Sequence, residues 1–142
     1  MPPTRTTTTR VFISFDYDHD EDLKNLLVGQ SRNRDTPFTF QDWSIKEETE
    51  NWKEDARRRI KRCACVIVIC GEHTQCATGV AAEVAIAREE DVPVWLLKGR
   101  KNKTCRRPQG TSFMWDTMHA WTWGNIETMR GSTPQPWWKR IW

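Results

Sequence analysis

A single glutamate, Glu83, stands in the most apolar part of an alanine-rich segment. Between Ala77 and Ala87 every other residue except Thr78 is small or apolar, including those three and four positions from Glu83. A solvated glutamate normally has polar flanks, and a buried structural carboxylate costs several kcal/mol unless it is paired. Because perturbed carboxylates cluster at functional sites, the pattern favours a catalytic role for Glu83. A buried structural role is the alternative.

One carboxylate with no histidine, serine or metal partner assigned to it suits few reactions. Glycosidases that act on oxygen glycosides use two carboxyl groups, because a poor leaving group must be protonated. A pyridinium N-glycoside such as NAD⁺ needs no acid, because nicotinamide leaves as a neutral ring. One carboxylate beside the ribose can hydrogen-bond its hydroxyls and stabilise the positive charge that develops at C1′. Glu83 therefore fits cleavage of an N-glycosidic bond.

Polar residues follow two predicted strands, in "FDYDHD" (15–20) and "CGEHT" (70–74). Asp16-x-Asp18 resembles the nucleophile motif of haloacid-dehalogenase-type phosphatases, but that motif wants Thr or Val where this chain has Asp20. A calcium loop starting at Asp16 would need Gly at its sixth position and Glu at its twelfth, and has neither. The sequence has no glycine-rich phosphate loop of either common type. Phosphate chemistry is therefore disfavoured.

The apolar runs predict an α/β, flavodoxin-like fold with a parallel sheet of four to five strands. The expected strand order is 2-1-3-4, with helices on both faces. Strands are predicted at 11–15, 38–41, 65–70 and 93–97 with an additional one at 119–122, and helices at 20–28, 51–62, 77–89 and 123–129. In such sheets ligands bind outside the carboxyl ends of the strands, between the first and third. Glu83, early in the helix after the third strand, can reach that crevice.

The composition is that of a soluble globular protein, with 37% hydrophobic and 29% charged residues in a chain of 142, enough for one core. No apolar run approaches the roughly 20 residues of a membrane span, so no membrane partner is expected. Residues 1–10 are predicted to be a disordered lead-in rather than a signal peptide, and 11–142 a single domain. Five cysteines, three of them in or beside an apolar run, indicate reduced thiols and a cytoplasmic protein. Cys63-x-Cys65 has the wrong spacing for zinc, and no metal is expected.

The net charge of +3 is too small to indicate a nucleic-acid partner. Basic residues cluster at 57–62 and 98–107, where a solvated helix face and a loop are the simplest explanation. An anionic ligand such as a dinucleotide phosphate is the alternative. Trp121 and Trp123 are predicted to pack onto the domain, because an exposed pair would promote aggregation.

Five segments resemble the TIR-like domains found in Thoeris anti-phage systems, a branch of the TIR superfamily. They are "VFISFDY" in the first strand, "FQDWS" after the second, "RIKRCACVIVICGEHT" leading into the third, "VAAEVAIA" with Glu83, and "AWTWGNI" near the end. The resemblance covers about residues 10–130 and implies a TIR-like fold. One departure is Gly79, at a position where the family commonly carries Trp.

The resemblance implies that Glu83 is the catalytic residue of NAD⁺ cleavage. The implied substrate-binding residues are Ser14, Phe15 and Asp16 in the nucleotide pocket, and Asp42, Trp43 and Ser44 on a loop rim near the ribose or adenine. Thr74, at the end of the third strand's loop, is also assigned to the substrate site. These residues also have structural alternatives. Phe15 could belong to the core, Ser14 could simply point inward from a strand, and Asp42 could cap a turn.

The resemblance further implies an NAD⁺ glycohydrolase or ADP-ribosyl cyclase of bacterial anti-phage defence. Its product would be a cyclic or conjugated ADP-ribose that activates a separate effector protein. NAD⁺ is then a substrate and no cofactor is expected, while TIR-like surfaces imply self-association. The alternative is a non-catalytic TIR-like interaction module. A weaker third option is deoxyribosyl transfer between bases.

Overall fold

The computed structural model describes residues 10–32, 42–46 and 49–131. Its strands are β1 (Val11–Ser14), β2 (Asp42–Trp43), β3 (Cys65–Cys70), β4 (Val94–Lys98) and β5 (Met118–His119). Its helices are α1 (Glu21–Ser31), α2 (Trp52–Lys61), α3 (Thr78–Glu89) and α4 (Trp123–Gly131), with a 3-10 turn at Thr74–Cys76. The strands form one sheet in the order β2-β1-β3-β4-β5, and every pairing in it is parallel. The predicted α/β fold and the order 2-1-3-4 are confirmed.

Two hydrophobic cores lie on opposite faces of the sheet, because successive side chains of a strand point to opposite faces. Leu27 of α1 and Ile126 of α4 pack on one face against β1, β3 and β4. Ile60 of α2 and Val84 of α3 pack on the other. β3 is buried at every position, as expected for a central parallel strand.

The same alternation decides which face receives the polar end of β1. Phe12 packs in the core beneath α2 and α3, so Ser14, two residues further on, projects to that same face. Glu83 belongs to α3, which covers this face. The sheet therefore brings a serine and a glutamate together although 69 positions separate them in the chain.

The described part of β2 directly follows the predicted second strand. The predicted strand at 38–41 lies outside the described residues, and the described strand is Asp42–Trp43, paired with Phe12 and Ile13. These two residues were expected on a loop rim. Aspartate is disfavoured in strands, and two residues are too few for a hydrophobic alternation, so local sequence gives no strand signal here. Pairing with β1 overrides that weak preference.

The C-terminal segment packs on the α1 face. Trp121 and Trp123 lie against the core that contains Ile126 and Met129, and the Trp121 indole N–H donates to Gln30 Oε1 at 3.1 Å. The predicted packing of the two tryptophans is confirmed. The fifth strand is Met118–His119 rather than 119–122, because backbone hydrogen bonding from Thr122 to Ala120 turns the chain.

All five cysteines are free thiols. Burial raises the pKa of Cys65 and of Cys70 to about 12, so both are protonated at neutral pH. Cys76 is exposed and Cys105 partly exposed. Within the described residues, no helix is both long and apolar enough to cross a membrane. Residues 1–9 of the predicted lead-in lie outside the described part of the chain.

Candidate functional site

A cavity of about 450 Å³ opens at the carboxyl ends of β1 and β3. It is lined by residues 15–19 after β1, 44–46 after β2, residues 73 and 76–80 around the start of α3, and residue 83. This is the crevice where the winding of the sheet reverses, the usual ligand site of such folds. Its volume lies within the range of small-molecule sites, roughly 300–1,000 Å³.

Glu83 forms the buried end of this cavity, with 1% of its surface exposed. Its Oε1 accepts hydrogen bonds from the Ser14 hydroxyl at 2.8 Å and the Ser44 hydroxyl at 2.6 Å. Both serines are buried. Hydrogen bonds donated to an ionised carboxylate are stronger than neutral ones and offset part of the cost of burial. The two hydroxyls therefore favour a charged, oriented Glu83.

Ser44 is held by the end of the sheet. Its backbone N–H donates to Ile13 O at 2.8 Å, which extends the pairing of β1 with β2 by one residue. Its hydroxyl oxygen accepts from the Phe15 N–H at 3.2 Å. The single hydroxyl proton of Ser44 faces both Glu83 Oε1 at 2.6 Å and Ile13 O at 3.1 Å, and the shorter contact with the carboxylate is the one that receives it.

Tyr17 closes the same wall of the cavity. Its hydroxyl donates to the Ser44 carbonyl, and its ring contacts Phe15 with centroids 4.2 Å apart. Burial, together with the negative charge of Glu83, raises the pKa of Tyr17 to about 12. Tyr17 is therefore a neutral hydroxyl at physiological pH, and its donated bond fixes the Ser44 backbone beside Glu83.

Asp16 and two histidines form the mouth of the cavity. Asp16 is 8% exposed; its Oδ2 lies 2.7 Å from His19 Nδ1, and its Oδ1 accepts the Asp18 N–H at 3.0 Å. The His19 ring stacks on His73, with centroids 4.0 Å apart. The stacked pair joins the loop after β1 to the loop after β3. Sequence reasoning assigned Asp16 to the site but missed both histidines, although "FDYDHD" and "CGEHT" contain them.

The predicted site residues do not all line the cavity. Phe15, Asp16, Ser44 and Glu83 do, and Ser14 contacts Glu83 from beneath. Trp43 points to the opposite face from Ser44 and packs on the α1 core, where Lys24 Nζ lies 5.1 Å from its ring centroid.

Thr74 is also not among the described residues that line the cavity. Thr74 is fully buried, and its hydroxyl oxygen accepts the Gly71 N–H at 2.7 Å, which holds the turn after β3. Asp42 contributes its backbone to β2. Lys46, Cys76 and Gly79 line the cavity without having been predicted to bind a substrate.

A third buried carboxylate, Asp20, directly follows the loop that lines the cavity and is 1% exposed. Burial raises the pKa of Asp20, and the Arg100 guanidinium, 3.2 Å from Oδ1, opposes that effect. Arg100 also pairs with the exposed Asp22 at 2.9 Å and lowers the pKa of that carboxyl. Gly71 packs against Asp20 so closely that a Cβ there would lie 2.2 Å from Oδ2, so any larger residue would displace the Asp20 carboxyl group.

We predict that Asp20→Asn gains stability relative to the wild type as the pH rises from about 4 towards 7. The folded protein holds the Asp20 proton more tightly than the unfolded chain does. The carboxyl therefore favours folding fully below its ordinary pKa of 3.8 and loses that contribution as the pH rises through the folded-state value. Asparagine does not titrate, so the free energy of unfolding, variant minus wild type, should increase across this window. Urea unfolding at several pH values measures it.

Asp22→Asn is the matched control. Asp22 contacts the same arginine as Asp20, but its pKa is lowered rather than raised. The wild-type Asp22 carboxyl ionises as the pH rises towards 3.8, and its charge stabilises the folded protein. The free energy of unfolding, variant minus wild type, should therefore fall over that range. Parallel pH profiles for the wild type and Asp20→Asn would contradict the assignment.

Among the described residues, no group of three or more His, Cys, Asp or Glu side chains is placed to hold a metal ion. The family model described as "Thoeris protein ThsB, TIR-like domain" matches residues 12–104, from β1 into the loop after β4 and more than half of the chain. A comparison with curated proteins gave no match.

Proposed function

We propose that this chain, which belongs to the TIR-like domain family of the Thoeris protein ThsB, cleaves the bond between nicotinamide and ribose in NAD⁺. The observation that carries the proposal is the position of Glu83. It lies at the buried end of a cavity of suitable size, and two serine hydroxyls orient its carboxylate. A preorganised charge in a water-poor site is the arrangement that stabilises a developing opposite charge most strongly.

The proposed reaction breaks the C1′–N1 bond, and both electrons of that bond pass to the nicotinamide ring, which leaves neutral. The carboxylate of Glu83 accepts hydrogen bonds from ribose hydroxyls and stabilises the positive charge that develops at C1′. Ser14 and Ser44 hold Oε1 in place, so little reorganisation is needed during the reaction. Tyr17, which stays protonated, keeps the Ser44 backbone in position.

The proposal extends to the product and its use. The ADP-ribosyl group passes to water or to a hydroxyl of the same molecule and yields a linear or cyclic ADP-ribose. In a Thoeris system this product signals to a separate effector protein during anti-phage defence, and copies of the domain associate through TIR-like surfaces. NAD⁺ is then the substrate of a cytoplasmic enzyme that needs no bound cofactor.

A non-catalytic interaction module is the second candidate function. Phe113 and Met114, between β4 and β5, are 85% and 73% exposed, and adjacent exposed apolar side chains suit a protein contact. Gly79 lines the cavity where the resemblance leads one to expect Trp. This candidate requires neither NAD⁺ binding nor nicotinamide release.

Cys76 allows binding and cleavage to be tested together. It is exposed and lines the cavity, whereas the partly exposed Cys105 does not. We expect saturating NAD⁺ to slow alkylation of Cys76 several-fold and to leave the rate at Cys105 unchanged, as measured by mass spectrometry. Free nicotinamide, followed by chromatography in the same samples, should accumulate.

The two readouts separate the candidates. Protection of Cys76 without nicotinamide would indicate a domain that binds the dinucleotide but does not cleave it. Equal alkylation of Cys76 with and without NAD⁺, with no nicotinamide formed, would favour the interaction module.

A further inference from the structure

We infer that His19 is the base that removes the proton from the hydroxyl that captures the ADP-ribosyl group, an inference that rests on the proposed function. Glu83 serves the departure of nicotinamide, which requires no proton transfer. Capture is different, because an attacking hydroxyl must lose its proton. The cavity that contains Glu83 also contains His19, and histidine is the commonest side chain for this task.

The geometry around His19 fixes which ring nitrogen is available. Asp16 Oδ2 lies 2.7 Å from Nδ1, and a carboxylate at that distance accepts a proton held on Nδ1. In the neutral ring, Nε2 then carries the lone pair. Asp16 is itself held by the Asp18 N–H, so the pair forms a carboxylate–imidazole unit of the kind that orients a catalytic base.

Two further contacts keep the ring at the cavity mouth. His73 stacks on it from the loop after β3 at 4.0 Å, and Arg100 Nη2 donates to the His19 backbone oxygen at 3.0 Å. The His19 side chain is 48% exposed, so a proton taken from the acceptor can pass to solvent. His19 therefore touches both the cavity and bulk water.

The capture step transfers one proton to His19. A lone pair on the acceptor oxygen forms the new O–C1′ bond. The O–H bond of the acceptor breaks, its electrons stay on oxygen, and the proton moves to Nε2 of His19. The acceptor is water or a hydroxyl of the same ADP-ribosyl group. Nicotinamide can also attack C1′ and regenerate NAD⁺, but its ring nitrogen has no proton to lose, so this return needs no base.

Capture by a hydroxyl needs a base and return of nicotinamide does not, so the two reactions should respond differently to loss of His19. Two rates are measured for one protein with NAD⁺ and isotope-labelled nicotinamide: incorporation of label into NAD⁺, and net formation of ADP-ribose products. We expect His19→Asn to keep label exchange near the wild-type rate and to lower net product by about 10²–10⁴-fold, the usual contribution of a general base. The asparagine amide can still donate to Asp16, so the loop keeps its hydrogen bond.

Asp16→Asn provides a second variant of nearly unchanged shape. Its amide can donate to Nδ1, which favours the tautomer with the proton on Nε2, so it should raise the ratio of exchange to net product as His19→Asn does. His119→Asn is the matched control. His119 lies on β5 beside Trp95, away from the cavity, and both of its rates should equal those of the wild type.

The outcomes distinguish the inference from the proposed function. If His19→Asn lowers exchange and net product in equal proportion, or changes neither, His19 is not the base and the inference is wrong, while NAD⁺ cleavage stands. If the wild type shows neither exchange nor net product, the proposed function is contradicted and the inference falls with it.

Discussion

Glu83→Gln is expected to lower nicotinamide release by at least about 10²–10³-fold, the usual loss when one preorganised electrostatic group is removed. Glutamine has the same shape, and its amide oxygen can still accept from Ser14 and Ser44, but it carries no charge to stabilise C1′. The free energy of unfolding should change by less than about 2 kcal/mol, because a charge-assisted hydrogen bond exceeds a neutral one by only that order. Chromatography of nicotinamide and urea unfolding measure the two effects.

Measuring both properties on one variant separates the possible roles of Glu83. If Glu83 only held the core together through a buried ion pair, neutralising it would lower the free energy of unfolding by about 3–5 kcal/mol. Glu127→Gln, on the exposed side of α4, is the matched control and should change stability by no more than about 0.5 kcal/mol and leave release unaltered. Full nicotinamide release by Glu83→Gln would refute the proposed mechanism.

The sequence predicts the centre of this fold more precisely than the bounds of β5 at its edge. β3 and α3 begin within one residue of their predicted positions, because a continuous apolar run and an alanine-rich helix are strong local signals. β2 is two residues of weak strand propensity and depends on pairing with β1. The more an element depends on a partner distant in the chain, the less its own residues indicate it.

The same distinction holds within the site. Glu83 stands out because its neighbours are apolar, and alternation along β1 places Ser14 on the same face. The contact of His19 with His73 joins two loops, and no periodicity describes loop side chains. The position of a residue after a strand also does not specify where its side chain points: Thr74 is buried beneath the turn after β3, and its place in the chain does not indicate this.

The two serines beneath Glu83 can be tested by their effect on stability. Replacing both Ser14 and Ser44 with alanine should destabilise the protein by about 3–6 kcal/mol, because a hydrogen bond to a charged group contributes about 1.5–3 kcal/mol and the buried carboxylate loses two of them. With Glu83→Met already present, the same double replacement should cost less, because methionine needs no donors. We expect a coupling of at least about 1.5 kcal/mol in this cycle from urea unfolding.

Ser31→Ala gives the matched control for the cycle. Ser31 is also buried, but its hydroxyl donates to Val28 O within α1, far along the chain from Glu83. Ser31→Ala should lower the free energy of unfolding by about 1 kcal/mol. This loss should be the same whether position 83 is glutamate or methionine. A coupling near zero for Ser14 and Ser44 would mean that the hydroxyls do not stabilise the charge. The proposed cleavage of NAD⁺ requires that charge to be held in one place, so the double serine variant should lose nicotinamide release even where it remains folded.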